Sequence, residues 1–186
     1  MGFTGGISRN NSPQYLSSIW RNGYNIGLIS NFHIKYGIFF SLEYTYHNYI
    51  FDKDEAIKRY ELRLADIQTI DEESSSVHQF QIKLGYYIPT PKNYISPFIQ
   101  ASFGIAHFNY SILLVEKPSP ISGRSRKSID SFKDDLERII GFGGGIITHI
   151  YGDINLILSY DYYSNILDEN EIHYYSIKVG LLFQLR

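Results

Sequence analysis

Tyr36-Gly37-Ile38-Phe39-Phe40-Ser41-Leu42-Glu43-Tyr44-Thr45-Tyr46-His47-Asn48-Tyr49 is the stretch whose reading decides the fold. Its even positions carry Tyr36, Ile38, Phe40, Leu42, Tyr44 and Tyr46, and its odd positions Gly37, Phe39, Ser41, Glu43, Thr45 and His47. Side chains of a strand alternate between two faces, so the stretch predicts one greasy face and one mostly small or polar face. A helix, repeating every 3.6 residues, cannot produce that pattern.

The alternation recurs on both sides of this stretch. Phe80, Ile82, Leu84, Tyr86 and Ile88 oppose Gln79, Gln81, Lys83, Gly85 and Tyr87; near the C-terminus Tyr175, Ile177, Val179, Leu181, Phe183 and Leu185 oppose Tyr174, Ser176, Lys178, Gly180, Leu182 and Gln184. Weaker versions run from Tyr24 to Phe32, Ile95 to Tyr110, Ile139 to Ile150 and Ile154 to Tyr162, and Gly2 to Ser8 completes eight strands. Composition agrees, since 17 Tyr and 12 Phe against one Met and one Trp favour strands over a helical core.

Several function classes drop out. The chain has no Cys, which removes disulfide scaffolds, thiolate zinc sites and cysteine nucleophiles. Seventeen Lys and Arg against 19 Asp and Glu leave no basic footprint, so nucleic acid is not an expected partner. The longest uncharged run, Asn93 to Val115, contains Ser96, Pro97, Gln100, Ser102, His107, Asn109 and Ser111, too many polar groups for a lipid-exposed helix. Met1 leads into Phe3, Gly5, Gly6 and Ser8 without an apolar leader, so any export signal is expected to have been removed already, and residues 1–186 are read as one domain.

Connections alternate in length. Short turns are expected at His33 to Lys35, Pro89 to Asn93 and Tyr151 to Gly152; long ones at Arg9 to Arg21, Asp52 to Ser76, Ser111 to Glu137 and Ser164 to Glu171. A barrel that crosses a bilayer has short turns on one side and long loops on the other, and an even strand number puts both termini on the short-turn side. The fold class is therefore all-β, an eight-stranded antiparallel up-and-down transmembrane β-barrel. Within Asp52 to Ser76, Ile57, Tyr60, Leu64 and Ile67 have helical spacing, whereas Tyr60, Leu62 and Leu64 alternate with Arg59, Glu61 and Arg63; a short helix and a strand extension both fit. Lys117 to Asp135, with Pro, Ser and Gly and with Arg124, Arg126 and Lys127, reads as a mobile loop.

Eight strands could also form a soluble calyx with its apolar face inward. Gly, Ser, Asn, Gln and Thr with isolated charges dominate the polar face, which suits an enclosed lumen better than a wet surface. In a lumen that side chains can fill, the charges must compensate one another: Glu43 is expected to face Lys83, and Asp161 to face Lys178. On a wet surface the same pairs would each contribute well under about 1 kcal/mol. Gly141, Gly143 and Gly145 share the interior parity and give room to bulky neighbours. Tyr44, Tyr46, Tyr49, Tyr160, Tyr162 and Tyr175 toward the long loops, and Tyr36, Tyr86 and Tyr94 toward the short turns, are placed as two interfacial aromatic girdles.

With its opening Gly2-Phe3-Thr4-Gly5-Gly6, this strand rhythm and the closing Ile177-Lys178-Val179-Gly180-Leu181-Leu182-Phe183-Gln184-Leu185, the chain resembles the small eight-stranded bacterial outer-membrane barrels of the OmpA and OmpX type. The resemblance implies a bacterial outer-membrane location, short periplasmic turns, long extracellular loops and contact with outer-membrane lipid or lipopolysaccharide. It implies no cofactor and no metal. The closing strand is similar to the insertion signal of such barrels, which usually ends in an aromatic residue, but here Phe183 is followed by Gln184, Leu185 and Arg186.

His47, His78, His107 and His173 fall at the long-loop ends, and His33 and His149 at the other. Some outer-membrane barrels are lipid A acyltransferases, deacylases or proteases, which makes His78 with Ser74 to Ser76, and His173 with Ser176 and Glu171, the catalytic candidates. A His and a Ser three apart on a strand point to opposite faces, and no nucleophile motif surrounds these serines. The expected function is thus a non-enzymatic barrel whose lumen is plugged by Phe39, Glu43, Lys83, Tyr87, Asp161 and Lys178. Its loops 52–76 and 111–137 would contact an envelope or surface protein. A lipid A-modifying enzyme is the alternative, and a soluble lipocalin-like carrier the third reading.

Overall fold

The structure is a computed structural model that describes residues 1–12, 20–50, 52–59, 75–91, 94–109, 113–117, 125–129, 135–166 and 172–183. The strands are β1 (Gly2–Ser12), β2 (Asn22–His33), β3 (Ile38–Tyr49), β4 (Ser75–Tyr87), β5 (Ile95–Asn109), β6 (Leu113–Lys117), β7 (Ser125–Ile129), β8 (Asp135–Tyr151), β9 (Ile154–Asn165) and β10 (His173–Phe183). Among the described residues one helix, α1, spans Lys53–Arg59. Eight strands close a barrel in the order β1-β10-β9-β8-β5-β4-β3-β2, every pair antiparallel, while β6 and β7 form a separate hairpin.

The alternation sorts the residues as the bilayer requires. On β3 the odd positions Phe39, Ser41, Glu43, Thr45, His47 and Tyr49 are buried, and on β2, β4 and β9 the same parity faces in. The opposite rows carry Ile26, Leu28, Ile82, Leu84, Ile99, Phe103, Phe142 and Leu158, each about half exposed. An apolar row on the outside of a closed barrel is stable only in lipid, and closure leaves no unpaired edge there. The soluble calyx needs the reverse orientation, so the structure sets that reading aside.

The short-turn end is built by local backbone chemistry. Ile38 N–H donates to the Lys35 carbonyl at 3.0 Å, and the two central residues, Tyr36 and Gly37, have φ of 56° and 81°. Two left-handed residues make the primed turn whose twist suits a hairpin. The turn thus lies two residues later than the sequence reading put it, because Gly37 accepts the positive φ and Tyr36, 90% exposed, has no packing to oppose it. The ends of the chain meet on this side: Gly2 pairs with Leu182, and the Met1 amino group donates to the Phe183 carbonyl at 2.9 Å.

Two loop readings are refined. Lys53–Arg59 is helical, with the Asp52 carboxylate accepting from Glu55 N–H at 3.1 Å as an N-terminal cap; the rest of the ambiguous stretch, 60–74, lies outside the described residues. Within the long connection Ser111 to Glu137, Leu113–Lys117 and Ser125–Ile129 pair as a hairpin, in register Leu113 with Ile129 and Lys117 with Ser125, and the second of these strands falls inside the stretch read as mobile loop.

Candidate functional site

The lumen is filled in tiers. Toward the short turns Ile29, Phe39, Phe98, Ile157 and Leu182 form an apolar cluster, with Tyr87 and Ile147 packed against it. Phe39 lies 4.5 Å from Tyr87 and 5.7 Å, edge-on, from Phe98 between ring centroids. Glycine makes this possible, since a Cβ on Gly85 would strike the Phe39 ring and one on Gly145 the Phe98 ring. Below the cluster the barrel mouth opens as a recess of about 610 Å³, bordered by Asn31, His33, Tyr87, Ser96 and Asn155.

Above it sit the four charges. Lys83 Nζ lies 2.7 Å from Glu43 and 3.1 Å from Asp161; Lys178 pairs with Glu43 and stands 3.7 Å from Asp161. All four are no more than 2% exposed. The two pairs expected from the strands are therefore one quartet in which each lysine meets both carboxylates. Asp161, Glu43 and Lys178 each have a further polar neighbour. Gln100 donates to Asp161 at 2.6 Å, Thr45 to Glu43 at 2.8 Å, and Lys178 to the Tyr163 hydroxyl at 3.1 Å. Two cations and two anions sum to zero, which is the condition for keeping charge out of water. Gly143 is part of this tier, because a Cβ there would occupy the place of the Asp161 carboxylate.

A third tier closes the long-loop end. Ser8 Oγ and His47 Nδ1 are 2.7 Å apart, His47 Nε2 and Gln79 Oε1 2.9 Å, and Tyr174 donates to Gln79 at 2.9 Å. Asn25 donates to Ser8 at 2.8 Å. Tyr49, Phe108, Tyr163 and Tyr174 cover this network, each no more than 2% exposed. Tyr49, placed in the outer girdle from its position near the strand end, belongs to this cap; its odd number already assigns it to the inward row. The Ser8–His47 pair was not anticipated, because the two residues lie on β1 and β3 and meet only across the lumen.

Of the catalytic candidates, His173 and Ser176 point to opposite faces of β10 and His78 and Ser75 to opposite faces of β4, while Ser76, 8% exposed, shares the parity of His78. His173 is on the outward row and stacks on Tyr162, with centroids 5.8 Å apart, while Ser176 faces the lumen, 0% exposed, its hydroxyl without a hydrogen-bond partner among the described residues. His78 is on the outward row with its Nδ1 2.8 Å from the Tyr44 hydroxyl, whereas Ser75 is fully buried. Ser74 and Glu171 lie outside the described residues. On the exterior, Tyr44, Tyr46, Tyr160, Tyr162 and Tyr175 line the long-loop end of the apolar belt, with Tyr160 and Tyr175 packed ring to ring at 5.8 Å. Tyr36, Tyr86 and Tyr94 are exposed at the other end.

Comparison with known proteins places this geometry. No protein-family model and no curated protein matches the chain. Among solved structures, Neisserial surface protein A shares its fold at a TM-score of 0.59 and 12% identity, over 99% of this chain and 96% of that one. The outer membrane enzyme PagL does so at 0.55 and 13%, over 97% of this chain and 98% of that one. At such identities the shared property is the fold, and the apolar belt independently puts that fold in a bilayer. The chain is an eight-stranded antiparallel β-barrel that shares the fold of these outer-membrane proteins and carries the apolar belt of a bilayer-spanning wall.

Proposed function

We propose that the protein is a non-enzymatic barrel, one domain over 1–186, which is fixed in the outer membrane and acts through what its long loops and outer rim touch. The quartet of Glu43, Lys83, Asp161 and Lys178 carries this reading, since four compensated charges wedged between an apolar floor and an aromatic cap leave no path for solute. An eight-stranded lumen is just wide enough for side chains to fill it. The absence of enzymatic chemistry has its own support: the Ser8–His47 contact resembles a nucleophile and base, but both residues are no more than 2% exposed, out of reach of a substrate. The loops 52–76 and 111–137 then face an envelope or surface protein, and the surroundings are outer-membrane lipid and lipopolysaccharide.

Planar-bilayer conductance and lipid A mass test the two halves of this reading. The folded protein should give no steady channel, and expressing it should leave lipid A mass unchanged. A stable single-channel step would refute the plugged lumen. A lipid A mass shift that His78→Ala with His173→Ala abolishes would replace the reading with a lipid-modifying enzyme, a role that the fold shared with PagL and the histidines at the long-loop ends support.

A further inference from the structure

Three outward residues on consecutive strands of the barrel wall come together just above the apolar belt. His78 on β4 is the direct cross-strand partner of His107 on β5, and the rings stand 6.3 Å apart. On β8 the partner of Ile105 is Arg138, so Arg138 is the diagonal neighbour of His107, about 7–8 Å away at that register. His78 and Arg138 are exposed and His107 half-buried. Glu137, the acidic residue nearest in sequence, has the inward parity and pairs with the fully buried Ala106. The outward neighbours Tyr44, Tyr46, Phe80, Ile105, Leu136 and Ile140 bring no carboxylate to the patch.

The setting selects the ligand. Tyr44 and Tyr46 mark the level where hydrocarbon gives way to headgroups, and Phe80, Phe103, Ile105 and Phe142 extend below the patch as exposed apolar wall. The Tyr44 hydroxyl and His78 Nδ1 stand 2.8 Å apart, so that Nε2 is the ring nitrogen that Tyr44 does not engage. Tyr46 packs against the same imidazole at 5.0 Å and fixes its plane. A guanidinium and two imidazoles at one level are donors for an anion with several oxygens, and Arg suits phosphate in particular.

We propose that His78, His107 and Arg138 form an exterior site for the phosphate of a lipid headgroup, whose acyl chains lie on the apolar wall beneath. This rests on the membrane-barrel reading above and names the lipid chemistry that its rim selects.

The test uses the full chain folded in octyl glucoside micelles and follows retained lipid by native mass spectrometry. The probes are phosphatidic acid, diacylglycerol with the same chains, and inorganic phosphate. Phosphatidic acid should be retained over diacylglycerol. The triple variant His78→Ala, His107→Ala, Arg138→Gln should lower that retention by about tenfold or more, the effect of losing hydrogen bonds to a charged group. Lys35→Gln, at the opposite end, should change nothing. Equal retention of both lipids, unchanged retention by the triple variant, or saturation of the site by inorganic phosphate alone would overturn the proposal. Gel mobility in SDS with and without boiling is read on the same samples, because closed membrane barrels resist SDS until heated. A mobility shift kept while retention fails speaks against this site alone, and a shift absent from the parent chain speaks against the barrel reading. If the triple variant loses its shift, Arg138→Gln alone decides, with a severalfold drop expected and no drop refuting.

Discussion

The floor of the lumen and the tier of charges above it close the same tube by different physics. Ile29, Phe39, Phe98, Ile157 and Leu182 are held by shape and by removal from water, contacts without direction that give way by degrees when one member shrinks. Glu43, Lys83, Asp161 and Lys178 are held by mutual compensation, so that deleting one member leaves another buried and unpaired. A chain can thus close its lumen with a tolerant plug and an intolerant one, a few residues apart along the same strands.

Breaking the intolerant tier should cost most. Lys83→Met leaves two carboxylates sharing Lys178, and we expect about 3–5 kcal/mol of lost stability, read as a lower urea midpoint of the barrel in micelles. Adding Asp161→Asn restores neutrality and should recover more than half of that loss; a double variant no better than the single one would mean that geometry, and not charge balance, governs the tier. In the floor, Phe39→Ala should cost about 3 kcal/mol by cavity formation, and the barrel should remain closed to ions in a bilayer because the quartet above is intact. Ile157→Val sharpens the contrast at its smallest, with about 1 kcal/mol or less expected in the same urea titration. A loss from Ile157→Val equal to that from Lys83→Met would erase the distinction between the tiers.

Most of the architecture was legible because one rule, the parity of a strand, decides both the secondary structure and the side of the wall. Glu43, Lys83, Asp161 and Lys178 share the inward parity, and so the sequence alone indicates that they are enclosed. It does not indicate who meets whom. Adjacent strands suggest two separate pairs, whereas a tube this narrow lets Lys178 on β10 reach Glu43 on β3 and Lys83 on β4 reach Asp161 on β9. Ser8 and His47 escaped notice for the same reason, being brought together by curvature and not by neighbouring strands. Tyr49 shows the rule misapplied: proximity to the strand end suggested the girdle, while its odd number put it inside. The hairpin of Leu113–Lys117 with Ser125–Ile129 was hidden by Pro118, Pro120 and the charges that surround it, which read as loop even where the flanking residues pair.

The seam between β1 and β10 has a consequence in time. Gly2 finds its partner at Leu182, so the first strand made is completed only by the last. Until residue 182 has emerged, β1 and whichever strand is newest each present an open row of N–H and C=O groups, a template for pairing with any passing chain. Contacts of such sequence separation form slowly, because loop closure must precede any gain from pairing. The polypeptide must therefore be held back from premature association for the whole of its synthesis and transit, and its final strand serves as the latch that ends this period of risk.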